Sequence, residues 1–271
     1  MSPILLLRLA TLSAALAMVG CFPGAFRAGA EVVRVEVQRR TPFAEGVPFG
    51  PAGSYEVLEG RMYLETDPNL PANARITDVR RAPRNARGRV EFWTDFWLLK
   101  PTDPARGSRR LLYDVNNRGN MLAIRTLNSA ERTNRPITLA HAGNGFLMRQ
   151  GVAVFSCGWN GDVVDDQTGR LLMYAPVATE NGQPIHGPTM VEFCTTEPVH
   201  SRAFSWSPWG SFAAYPPAVP DHRFATLTMC ERRGAPVVQV PHDQWAWGRG
   251  ENGEPLPELT HLWLKDGLRT G

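Results

Sequence analysis

Two stretches of this chain concentrate groups that can hold or polarise a small molecule. The first is "LLYDVNNRGN", Leu111 to Asn120, where an apolar run ends in Asn116, Asn117, Arg118, Gly119 and Asn120. The second is "VAVFSCGWNGD", Val152 to Asp162, where another apolar run ends in Trp159, Asn160, Gly161 and Asp162. A surface turn needs one Asn and one Gly. The first loop carries several times that donor and acceptor capacity, which marks it as a loop built to hold something.

Nucleophilic chemistry needs a serine or cysteine placed beside a base. No G-x-S-x-G occurs. Ser156 and Cys157 lie at a strand end, but Val154 stands where an elbow needs a small residue, and no helix pattern follows. A nucleophile elbow requires a tight strand-to-helix turn, so both residues read as strand packing. His141, His186, His200, His222, His242 and His261 show no H-E-x-x-H spacing. "GDVVDD", Gly161 to Asp166, gathers three carboxylates without the pattern of an EF-hand loop. It reads as a solvated turn, with a calcium site as the alternative. A metal-dependent enzyme built on it would lack a nearby histidine. "GNGF", Gly143 to Phe146, is too short for a phosphate loop. By motif alone no catalytic apparatus is complete, and no cofactor is expected.

The elements that would position these loops follow from periodicity. Glu31 to Phe43 and Tyr55 to Thr66 alternate apolar and polar residues, the pattern of half-buried strands. "ITDVRRA" reads as a short strand, and Gly88 to Pro101 as a long aromatic one. Together they predict an antiparallel sheet. Arg109 to Val115 has a continuous apolar core, as in a strand buried on both faces. Ala142 to Gly151 reads as a helix stopped by Gly151, and Val152 to Trp159 as a second continuous strand. Strand, loop, helix, strand is a crossover between parallel neighbours, and groups at their carboxyl ends share a crevice. Those ends are "NNRGN" and "GWNGD". Further on, "GPTMVEFCTTEP" reads as a strand and Ala225 to Pro241 as a hairpin turning at "RRGAP". Phe204 to Pro220, rich in Pro and aromatic residues, reads as a packed connector or a lid.

Composition bounds the class. With 271 residues, 43% of them hydrophobic, the chain can bury a core. Frequent Pro (23) and Gly (25) argue against long helices. Net charge is +3 with the signs mixed, which excludes a nucleic-acid footprint. The densest basic patch, Arg80 to Arg89, reads as a solvated turn. The apolar run Leu9 to Val19 is too short for a membrane span and suits a secretory signal. Two cuts compete: before Cys21, which would then carry lipid, or after Ala30. The second removes Arg8 and Arg27 and leaves a nearly neutral chain. Either implies export to the periplasm or beyond, with outer-membrane anchoring and membrane contact only through Cys21. Cys157, Cys194 and Cys230 then allow at most one disulfide within the chain; Cys194 with Cys230 is the open pairing, against three buried thiols.

"GRVEFWTDFWLLKPTDPARGSRRLLYDVNNRGN", "AGNGFLMRQGVAVFSCGWNGDV" and "PVATENGQPIHGP" together resemble a bacterial family of secreted α/β-hydrolase domain proteins, from about Val32 to Gly271. The resemblance implies an α/β fold: a partial hydrolase-type sheet with extensive β-rich N-terminal and C-terminal segments. Residues 1–30 would be the signal (or 1–20 before Cys21), 31–175 the N-terminal part of the core, and 176–271 a β-rich insertion or second subdomain. It casts Asn116, Asn117, Arg118 and Gly119 as the oxyanion loop, where one donor is worth about 3–4 kcal/mol of barrier. Trp159 and Asp162 would form the rim. Trp93, Trp97, Trp206 and Trp209 would line an acyl site or belong to the core. In such a family the serine, acid and histidine lie downstream, so the chain reads as the N-terminal portion of a secreted serine esterase acting on a small ester-like molecule. The alternative is a non-catalytic, β-rich periplasmic or lipid-anchored binding module.

Overall fold

A computed structural model describes residues 29–165, 167–192, 195, 199–204, 215–232, 234–250 and 253–268. Cys21, Cys194, Trp206, Trp209 and Asp166 lie outside the described residues.

Three long strands come first: β1 (Ala30–Pro42), β2 (Tyr55–Thr66) and β3 (Val90–Pro101). They form an antiparallel meander, as their alternation predicts. The crossover follows as β4 (Leu111–Asp114), α1 (Ala123–Asn128), α2 (Phe146–Arg149) and β5 (Ala153–Cys157). β5 pairs antiparallel with β3 and parallel with β4, giving the order β1-β2-β3-β5-β4. A short β6 (Met173–Tyr174) continues the pairing along β3. Next are the hairpin β7 (Thr179–Glu180) and β8 (Gln183–Pro184), then β9 (Val199–Ala203). The hairpin β10 (Thr228–Met229) and β11 (Val238–Gln239) falls where the sequence predicts one. Finally β12 (Trp245–Arg249) and β13 (Leu256–Leu268) form a second sheet of order β12-β13-β9.

The expected α/β-hydrolase-type fold is overturned. The protein is β-rich, with a mixed sheet and two helices of six and four residues among the described residues. Helices do not alternate with strands. The crossover between β4 and β5 is mostly irregular chain and turns, with one three-residue 3-10 helix (Ala140–Ala142) beside α1 and α2, because Asn, Gly and Pro interrupt it too often for helix to propagate. "ITDVRRA" is likewise turns and a 3-10 helix (Val79–Arg81), with Asp78 in the left-handed region.

Strand pleating sends alternate side chains to opposite faces. One face of the large sheet carries Tyr55, Val57, Trp97, Leu99 and Val154, all buried. Phe43, Phe49, Met121, Ile124, Leu147 and Met148 pack onto it from the connecting segments. The Tyr55 hydroxyl sits 3.0 Å from the Met148 carbonyl and 3.2 Å from that of Val152, fixing α2 to the sheet. Burial pushes its pKa up to about 12. Asn128, wholly buried, donates to the Ala142 carbonyl (3.1 Å) and accepts from the Leu147 amide (3.1 Å), joining α1 to α2.

The opposite face carries a ladder of rings. Phe96 stacks on Phe155 at 6.1 Å and Phe155 on Tyr113 at 5.9 Å. β1, at the sheet edge, is exposed along nearly its whole length rather than half-buried. Its register slips between Val32 and Arg34 and again between Val37 and Arg39. Gly60 lies opposite Val37, and a Cβ there would come within 1.9 Å of the Glu36 carbonyl oxygen, so only glycine admits β1 so closely.

Candidate functional site

The loop after β4 is held by its own side chains. Asn116 is 2% exposed. Its Nδ2 donates to the Cys157 carbonyl (2.7 Å) and to Ser156 Oγ (3.1 Å), tying the loop to the end of β5. Its Oδ1 accepts the Gly119 amide at 2.7 Å. Asn117 and Asn120 exchange backbone hydrogen bonds of 2.9 and 3.0 Å. Between them Arg118 and Gly119 both have positive φ, 48° and 80°. Two left-handed central residues define a type I′ turn, which favours Asn and Gly. Asn120 Oδ1 accepts from Asn134 Nδ2 at 3.1 Å, and Asn134 Oδ1 accepts the Met121 amide at 3.1 Å.

Most of the capacity that makes the loop conspicuous is therefore spent within the loop and on its ties to β5 and Asn134. The Gly119 amide has one hydrogen, and Asn116 takes it. A Cβ at Gly119 would approach the Leu171 carbonyl oxygen to 2.7 Å, so the close neighbour of this glycine is backbone. Arg118, at the tip, is exposed.

Trp159 joins the same assembly, its Nε1 donating to the Asn116 carbonyl at 2.8 Å while half the side chain stays exposed. Asp162 turns elsewhere and accepts from the Tyr215 hydroxyl. That bond, with burial second, pushes Tyr215 up to about 12. Ser156 is wholly buried and donates to the Asp114 carbonyl at 3.1 Å. Burial pushes the Cys157 thiol up, against a smaller lowering by Tyr113, so it is a poor nucleophile. Tyr113 is itself pushed up to about 12, first by its 3.3 Å contact with that sulfur and then by burial. Cys230 is exposed, which corrects the reading of buried thiols.

Sequence reading passed over Asp114. Its oxygens accept the Leu122 and Ala123 amides at 3.1 and 3.2 Å, closing the start of α1. Burial raises its pKa, and those amides lower it in part. An Asp preceding a helix by nine residues leaves no local capping signature.

Sequence reading also missed a cavity of about 770 Å³. Thr66, Val90 and Phe92 of the large sheet form its floor. Ile76, Val79 and Ala82 form one wall, and Met173, Ala175 and Ile185 the other. Arg81 bridges the walls, 3.0 Å from Asp78 and 3.0 Å from Glu180. The pattern was invisible because the first wall lies in the stretch read as a strand. Trp97 is core, whereas Trp93 lies under the Arg61 guanidinium at 3.5 Å and against Tyr174.

Among the described residues no serine or cysteine is hydrogen-bonded to a histidine. His141 Nδ1 accepts local amides of Ile137 and Thr138, and His222 and His242 bond backbone carbonyls. No three His, Cys, Asp or Glu among the described residues gather as metal ligands. No helix among them is long and apolar enough to cross a membrane. Comparisons with protein-family models, curated proteins and solved structures return no match.

Proposed function

We propose that this chain is a non-catalytic, β-rich binding module for a small, largely apolar molecule. The cavity over the large sheet carries the reading. Its size falls within the ordinary range of small-molecule sites, and its lining is mostly aliphatic with Phe92, its polar members being Thr66, Asn73, Thr77, Asp78 and His186. Saturable binding of a neutral apolar dye such as Nile red tests it. One site is expected per chain, abolished in Ala175→Trp, whose indole fills the space, with the circular dichroism unchanged. Undiminished binding by the filled variant sinks the proposal.

A second reading, hydrolysis of a small ester-like molecule, draws on one observation. The loop after β4 meets the end of β5 through Asn116 and Trp159, and the family resemblance belongs with it. This reading needs a nucleophile other than buried Ser156 and a free donor other than the Gly119 amide. Turnover of short-chain p-nitrophenyl esters by the purified protein would put it ahead of binding. Export through the Leu9 to Val19 segment is part of both readings. The mass of the mature protein tests it and separates lipidated Cys21 from a cut after Ala30.

A further inference from the structure

We infer that the ligand of this cavity is a single-chain anionic amphiphile, a long-chain carboxylate, with its chain over the sheet and its head group among Arg75, Arg80 and Arg84. The inference rests on the binding reading above and names its ligand class.

The first cavity wall is also the most basic stretch of the chain. Arg75 adjoins the lining residue Ile76, and Arg80 adjoins Val79. Arg84 follows two residues after Ala82, and its guanidinium donates to the Arg80 backbone carbonyl at 3.0 Å, which places that guanidinium against the same turn. Carboxylates occupy the other arginines of the segment. Arg81 takes Asp78 and Glu180, Arg87 takes Glu65, and Arg89 takes Asp67. Arg75, Arg80 and Arg84 have no carboxylate partner among the described residues, and all three are exposed. The one acid of the lining, Asp78, is already matched by Arg81.

A largely aliphatic cavity whose first wall is interleaved in sequence with three exposed arginines is complementary to a molecule with an alkyl body and an anionic end. Guanidinium binds carboxylate through two parallel hydrogen bonds, which a neutral alcohol cannot reproduce. Charge-assisted bonds of this kind contribute enough for a preference of about tenfold or more. The cavity size suits one chain, and a two-chain phospholipid would leave a tail in water.

Displacement of Nile red from the full chain by oleate, oleyl alcohol and oleylamine, and by dioleoyl phosphatidate vesicles, decides the matter. Oleate should displace the dye at a concentration at least about tenfold below that of the alcohol, with the amine weakest. Arg75→Ala with Arg80→Ala should abolish the preference and leave alcohol binding unchanged. Arg75→Lys with Arg80→Lys should keep part of it, which separates charge from folding. Equal potency of acid and alcohol, or a preference that survives the alanine pair, overturns the inference while leaving the binding reading intact. Stronger displacement by the vesicles than by oleate also overturns it. If the dye itself fails to bind, both fall together.

Discussion

The two larger sheets among the described residues are stabilised in different ways. The large sheet buries Tyr55, Val57, Trp97, Leu99 and Val154 beneath segments drawn from over a hundred residues of chain. The β12-β13-β9 sheet buries Val240, Trp245, Leu262 and Leu264. Around those four lies a chain of rings. Trp245 meets His222 and Trp247 edge-on, both at 5.0 Å, and Phe204 meets Trp247 at 5.4 Å. Buried Nε1 atoms of Trp245, Trp247 and Trp263 find no hydrogen-bond partner among the described residues, against Trp97 alone of the tryptophans in the large sheet. Each unmet donor costs about 1–3 kcal/mol. A small core with several such costs is a marginal one, and local stability should differ accordingly.

The largest effects test that contrast directly. Trp97→Ala should cost about 3–5 kcal/mol and lower the denaturant midpoint of the whole chain. Leu262→Ala should cost about 2–5 kcal/mol, but its effect should stay local. Amide exchange should then accelerate in residues 199–268 while β2 and β3 remain protected. If both mutations accelerate exchange everywhere alike, the two sheets are one cooperative unit and the contrast fails.

Next in size is the cap on α1. Asp114→Ala strands two amides and should cost about 1–3 kcal/mol, with Asp114→Asn costing less. An equal loss for both variants would show that shape, not acceptance, is what matters there. Gly119→Ala places a Cβ at φ 80° and against the Leu171 carbonyl, for about 1–2 kcal/mol or more. Wild-type stability in that variant would show that the turn is not held as described.

The smallest effect is on pH. Burial raises Asp114 above the ordinary carboxylate value, so the folded protein keeps a proton that the unfolded chain has released. Its contribution to stability is present below the ordinary value and lost as pH rises through the raised one. The stability difference between wild type and Asp114→Asn should therefore shift against wild type as pH rises through that window. A flat or opposite trend would contradict the burial argument.

Much of the large sheet was legible in the sequence. Alternation in Glu31 to Phe43 and Tyr55 to Thr66 marks β1 and β2, and the two continuous runs mark the parallel pair β4 and β5, although β4, read as buried on both faces, is the far edge of the sheet with Leu111 and Tyr113 exposed. The fold class was misread because a crossover implies a helix, whereas the 38 residues between Asp114 and Ala153 hold ten α-helical residues in two pieces. "ITDVRRA" alternates weakly, yet Asp78 adopts a left-handed conformation that no strand allows. The conspicuous asparagines were found for a sound reason, their density of donors and acceptors. Whether such groups face outward or inward depends on Asn116, whose burial periodicity does not encode. The cavity was illegible because its walls, residues 76–82 and 173–185, lie far apart in sequence and meet over the sheet, where β6 pairs with β3.

The register slips of β1 bear on how the molecule behaves in a crowd. A 13-residue edge strand with four half-exposed valines, Val32, Val33, Val35 and Val37, is a template for joining chains edge to edge. Each slip throws the outward row of amides and carbonyls out of step and sharpens the local twist. An incoming strand would meet only short stretches in phase, cut off at Val33 and again at Gln38. Two extra residues thus work against fibre-like assembly along the longest free edge among the described strands.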